Sequence, residues 1–177
     1  MAYYELSGAK RSQSRCLNDM AELDRFKGDL ERAEEGYLKA LSLLEALGDQ
    51  RFYVAALNLG IIYAETGRPV EARAQLEQCH RALRTSRLPG IEGATLLALA
   101  HVYAQLSSIE KWREHFDKGR SIIEGIGFAD IDIARAAQHG GEVLLADGYK
   151  DEAKESLEFA RDHWELLERD NAAAELT

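Results

Sequence analysis

The side chains that could do chemistry in this 177-residue chain are few: five histidines (His80, His101, His115, His139, His163) and two cysteines (Cys16, Cys79). His139 and Glu142 stand three residues apart, which puts both on one face of a helix. With His101 approaching from a neighbouring segment, they would form the nearest thing to a metal site. Scattered His/Glu pairs on helices are more often solvated than ligating, so no metal and no cofactor is expected. There is no HExxH, no nucleophile elbow, no phosphate-cradling glycine loop and no Cys-x-x-Cys. Gly125-Ile126-Gly127 closes a helical stretch and follows no strand, so it lacks the context of a dinucleotide site. Cys16 and Cys79 fall in helix-period patterns and read as small apolar fillers. Arg81, Arg84 and Arg87 crowd a helix C-terminus, which the helix dipole favours. No catalytic residue is assigned, and the chain does not read as an enzyme.

Composition narrows the partners. Lys and Arg number 22 against 31 Asp and Glu, a net charge of −9, which argues against nucleic acid, whose phosphates need a concentrated basic face. Hydrophobic residues at 46% suffice for a core. No apolar run approaches the roughly 18–20 residues that span a bilayer, no basic leader precedes an apolar block, and two cysteines make no disulfide scaffold. The expectation is a cytoplasmic protein without membrane contact.

The elements that position these residues are helices. Only Pro69 and Pro89 occur, and neither interrupts a helix-period stretch. Leu30, Ala33, Tyr37, Ala40, Leu41 and Leu44 paint one helical stripe, and no stretch alternates with period two. Helices are predicted at about 12–27, 30–47, 50–66, 69–86, 91–106, 108–125, 130–147 and 150–168. Pro69 suits a first helical turn, Asp49 and Asp130 are N-cap candidates, and Ser107 with Glu110 has capping-box form.

The chain repeats with a period near forty. Gly28, Gly67, Ser107 and Gly148 are 39, 40 and 41 apart. Three more columns keep that register: Ala33, Ala72, Trp112, Ala153; Tyr37, Leu76, Phe116, Leu157; and Ala40, Cys79, Gly119, Ala160. A fixed period of this size signals stacked helix pairs. Leu59-Gly60, Tyr63, Gly67, Ala72 and Leu76 resemble the tetratricopeptide repeat (TPR); the third copy keeps Leu99-Ala100, Tyr103 and Phe116, the fourth Gly141, Gly148, Ala153 and Leu157. The longer period resembles the TPR variety of motor-protein light chains and bacterial regulators. The resemblance implies an all-α, right-handed superhelical solenoid of four antiparallel helix pairs. It would be one domain over 1–177, with repeats at about 12–49, 50–90, 91–129 and 130–168. Trp112 stands where a small residue is usual, so a wider or shifted contact is expected in the third pair, with Trp112 in the core.

In TPR folds the first helix of each pair lines a concave face. The resemblance therefore implies a protein or peptide partner bound by Arg15, Glu22, Val54, Asn58, Ile61, His101, Arg135, His139 and Glu142. An apolar middle with charged ends suits an extended or helical segment. The mode that grips the C-terminal carboxylate of heat-shock chaperones is excluded. At the matching positions Asn18, Glu22, Asn58, Ala94 and Ala98, the required cations are absent.

The ends raise an alternative. Residues 1–8 align with the tail of a second helix, as a remnant or cap, and 169–177 form a tail. The stripe Leu157, Ala160, Trp164 and Leu167 has no further helix to cover it. A homodimer through this C-terminal helix, or a regulatory self-association module of a larger bacterial signalling or transcription-regulator protein, would meet that need.

Overall fold

A computed structural model describes residues 2–49 and 52–174 of the chain. Among the described residues there are eight α-helices and no strand. They are α1 (Ala2–Phe26), α2 (Leu30–Ala46), α3 (Phe52–Glu65), α4 (Pro69–Leu83), α5 (Pro89–Gln105), α6 (Ile109–Ile126), α7 (Ile131–Ala146) and α8 (Lys150–Ala174). Consecutive helices pack as antiparallel pairs, α1 on α2, α3 on α4, α5 on α6 and α7 on α8. The chain divides into two compact units, Met1–Ser86 and Arg87–Thr177.

The repeat columns have physical meaning at the turns. Gly28, Gly67, Ser107 and Gly148 all adopt positive φ, of 82, 72, 50 and 90°. Each sits where a first helix ends and the next amide reaches back five residues, as in Asp29 N to Asp24 O (2.9 Å) and Arg68 N to Tyr63 O (2.8 Å). That bond satisfies a carbonyl the helix leaves orphaned, and it requires a left-handed residue. Ser107 is therefore not the cap of a capping box. Ser108 is the N-cap of α6, without a side-chain cap bond, while Ser107 Oγ donates to Asp147 Oδ2 at 2.9 Å, in the corresponding turn one repeat later. Asp130 does cap α7, accepting from Asp132 N at 2.8 Å. Asp49 is a buried carboxylate held by Arg11 Nε at 2.7 Å.

In the first unit, α1–α2, α2–α3 and α3–α4 contacts carry the packing. Small residues set the distances: a Cβ on Gly60 would lie 2.5 Å from Leu76 Cγ, and one on Gly36 would lie 2.7 Å from Ala21 Cβ. Arg25 of α1 is almost fully buried and pairs with Glu65 of α3 at 3.5 Å. Arg68 forks between Glu71 and Glu34 at 2.8 Å each, linking the start of α4 to α2.

In the second unit, α5 packs on both α6 and α7, and α7 on α8. Residues Thr95 to Ala104 are all buried, so α5 is covered on every side. Trp112 is fully buried and stacks on Phe116 at 4.9 Å, and Phe116 meets Phe159 of α8 edge-on at 5.7 Å. The third pair accommodates this ring without separating at its other end. A Cβ on Gly119 would lie 2.9 Å from Leu97 Cγ and 3.2 Å from Gly93 O. In the fourth pair Gly141 takes the place of Gly60, 2.7 Å from Leu157 Cγ by the same measure.

Two helices are longer than predicted. α1 runs unbroken from Ala2, so the described part of 1–8 is its first turns and not a separate segment. Gly8 alone, at a cost of about 1 kcal/mol, does not stop a helix. α8 continues to Ala174 through most of the expected tail. Met1 and 175–177 lie outside the described residues.

Candidate functional site

On α3 two stripes separate. Leu59, Gly60 and Ile62 are buried, whereas Val54, Asn58 and Ile61, at i, i+4 and i+7, stay half-exposed. On α1, Arg15 is exposed and Glu22 half-buried. The two stripes meet at one bond: Asn58 Nδ2 donates to Asn18 Oδ1 at 3.2 Å, across 40 residues. Asn18 and Asn58 occupy equivalent positions in successive repeats. The bond uses one of the two N–H groups of Asn58, and each amide retains capacity to donate or accept. Asn18 was not among the expected face residues, although its place one period before Asn58 was visible.

In the second unit the rings of His101 on α5 and His139 on α7 pack at 5.7 Å, 61° apart. His101 is only 7% exposed, because α7 crosses α5 there through Gly140, whose Cβ would lie 3.4 Å from His101 Cα. Burial, helped by the nearby charge of His139, pushes the His101 imidazole down to about 4. The ring is therefore neutral near pH 7 and belongs to the crossing, so the half-exposed His139 is the member of the pair that a ligand could touch. Arg135 is half-exposed one turn before it. Glu142 does not join the histidines. It accepts from Gln138 Nε2 at 3.0 Å, and Gln138 Oε1 in turn accepts from Trp164 Nε1 of α8 at 3.2 Å.

That last bond bears on the C-terminal stripe. Ala160 is buried, Leu157 lies against Gly141, and Trp164 is tied to Gln138. The stripe Leu157, Ala160, Trp164 and Leu167 was expected to lack a cover. Over its first three members it is the side of α8 turned to α7; Leu167 is half-exposed.

The remaining chemistry-bearing groups sit apart. Cys79 is buried with Sγ donating to Tyr53 O at 3.3 Å, and Cys16 is exposed. His115 lies against Tyr103 at 4.9 Å and His163 against Phe159 at 4.7 Å. Among the described residues no three His, Cys, Asp or Glu side chains are placed to hold one metal ion. None of the described helices is long and apolar enough to cross a membrane.

Four helix pairs, small-against-large helix contacts and left-handed turn residues at a fixed period define a TPR-like helical-repeat protein. Sequence comparison agrees where it reaches: residues 11–85 match the family model of the tetratricopeptide repeat. No curated protein matches the sequence. Among solved structures, the fold is similar to that of the nearly identical TPR-like repeats of a Podosopora anserina protein described as a kinesin light chain. A single-substitution form of it superposes with TM-score 0.62 at 17% identity, over 89% of this chain and 77% of that one. Its unsubstituted form gives TM-score 0.60 at 17% identity, over 86% and 75%. At such identity the likeness concerns the fold alone. TPR repeats as a class are protein-interaction scaffolds, typically without catalysis.

Proposed function

We propose that this protein is a non-catalytic scaffold whose first-helix faces bind an extended or helical segment of a partner protein. One observation carries the reading: on α3 the stripe Val54, Asn58, Ile61 is half-exposed and distinct from the buried stripe. An apolar pair flanking an amide suits a backbone-bonded, apolar-centred segment. In the second unit Arg135 and His139 supply the polar counterpart. His101 supports His139 from beneath, and Glu142 is reached through Gln138. Because the face of α8 that raised the homodimer reading is largely turned toward α7, a partner segment is the better-supported occupant. Residence in the cytoplasm, and membership of a larger regulator, stay with this proposal as expectations.

A peptide library selected on the full chain tests it. Selected peptides should lose binding to Ile61→Asp for the first face, or to Arg135→Glu for the second, with helical content unchanged. Peptides that bind both variants as tightly as the parent chain would place the site elsewhere. Sedimentation of the parent chain as a dimer that Leu167→Asp dissociates would favour the self-association reading.

A further inference from the structure

A second surface lies within the second unit, on the second helices of its pairs and so apart from the faces above. A cavity of about 460 Å³ opens between the C-terminal end of α6, the turn after it and α8. Its apolar lining comes from Ile123 and Phe159, both buried, and from Phe128 and Leu166, which are 41% and 42% exposed. Four carboxylates edge it, Glu124, Glu155, Glu158 and Asp162, against two guanidiniums. Both guanidiniums are already paired with carboxylates of the same rim. Arg120 is held by Glu124 at 2.7 Å and Glu155 at 3.4 Å, and Arg161 by Asp162 at 2.8 Å. The C-terminus of α6 turns its negative dipole end toward the same place, with Gly127 as left-handed cap. His163, also in the lining, is buried; desolvation lowers its pKa, so it adds no positive charge near pH 7.

We propose that this cavity docks a basic–apolar segment of a partner protein, an Arg or Lys side chain beside an apolar one. The cation would lie beside Glu158 and the face of the Phe128 ring, and its apolar neighbour on Leu166 and Phe159. Glu158 is the most available acid, since its ion pair with Lys154 is long, at 3.9 Å, and exposed. The volume suits one or two side chains. A purely polar cation would leave the apolar lining wet, and an acidic segment would meet a net negative rim.

The test uses the full chain and a fluorescein-labelled peptide of alternating arginine and leucine, read by fluorescence anisotropy. Arginine–serine and glutamate–leucine peptides serve as twins. The arginine–leucine peptide should bind best and weaken with salt. Glu158→Lys should weaken it about tenfold or more, and Leu166→Ser several-fold. Glu35→Lys, an exposed reversal in the first unit, should leave it within twofold. The proposal is overturned if the peptide does not bind at millimolar concentration, or if the glutamate twin binds equally. Equal losses from Glu35→Lys and Glu158→Lys would mean attraction to overall charge, and loss with Ile61→Asp would mean the first-helix face; either overturns it.

Discussion

Replacing Gly60 by alanine should destabilise the protein in one background and stabilise it in another. In the native chain the new Cβ would sit 2.5 Å from Leu76 Cγ and 2.6 Å from Cδ2, and Leu76 is fully buried with nowhere to retreat. Overpacking of this kind costs ~1–3 kcal/mol, against a gain of ~1 kcal/mol from alanine's better helix propensity, leaving a net loss of about 1 kcal/mol. The three heavy atoms nearest that Cβ all belong to Leu76 and lie beyond its Cβ. Leu76→Ala therefore removes the whole obstacle, at its own cost of ~2–5 kcal/mol. In that background Gly60→Ala should stabilise by ~1 kcal/mol, a coupling of about 2 kcal/mol between the two sites. Urea and thermal unfolding of the four chains, followed by far-ultraviolet circular dichroism, reads it, each kcal/mol being about 2–4 °C for a chain of this size. Gly60→Ala acting with the same sign in both backgrounds would refute the close-approach reasoning. At Gly141 the reversal should be weaker, because Ala153 O remains 3.2 Å away after Leu157 is truncated.

Ser107 holds φ of 50°, so Ser107→Ala should lose the Asp147 bond and keep the strain, while Ser107→Gly sheds the strain. The glycine chain should be the more stable of the two by about 1 kcal/mol in urea unfolding. His101 is held neutral in the folded state with a pKa of about 4, whereas the unfolded chain takes up that proton below about 6.5. Its stability contribution is then complete above pH 6.5 and lost as pH falls toward 4, on the order of 2–3 kcal/mol. The fall in urea midpoint over that range should shrink in His101→Leu; an unchanged slope would remove His101 as its source. Glu65→Leu removes the carboxylate paired with the buried Arg25 guanidinium and should cost on the order of 1–3 kcal/mol in urea unfolding, with Arg25→Met recovering part of that loss in the double variant.

Helix number and pairing were legible because the forty-residue register puts the same physical demand on each copy. Small residues fall where helices cross, at Gly60 and Gly141, and a left-handed turn follows each first helix. Ser107 shows where such reading slips. Its spacing to Glu110 suggested a local cap, yet its column companions are all glycines, and the column was the stronger guide. The lengths of α1 and α8 were missed because helices fade through weak formers without any marked stop. Of the expected face, the half-exposed stripe on α3 came from helical spacing read through the TPR resemblance. The Asn18–Asn58 bond and the Glu142–Gln138–Trp164 chain did not, since each depends on how two helices are rotated against each other. The cavity beside α8 was invisible for the same reason: its lining comes from two stretches of chain, the end of α6 with its turn and the middle of α8.

The all-round burial of α5 sets a limit on how this protein can be cut or shuffled. A helix that is covered on its whole circumference, mostly through apolar side chains, has no side fit for water. Excising either α6 or α7 would leave behind a fragment prone to precipitate, so heritable rearrangement of this half must move its core helices as a block.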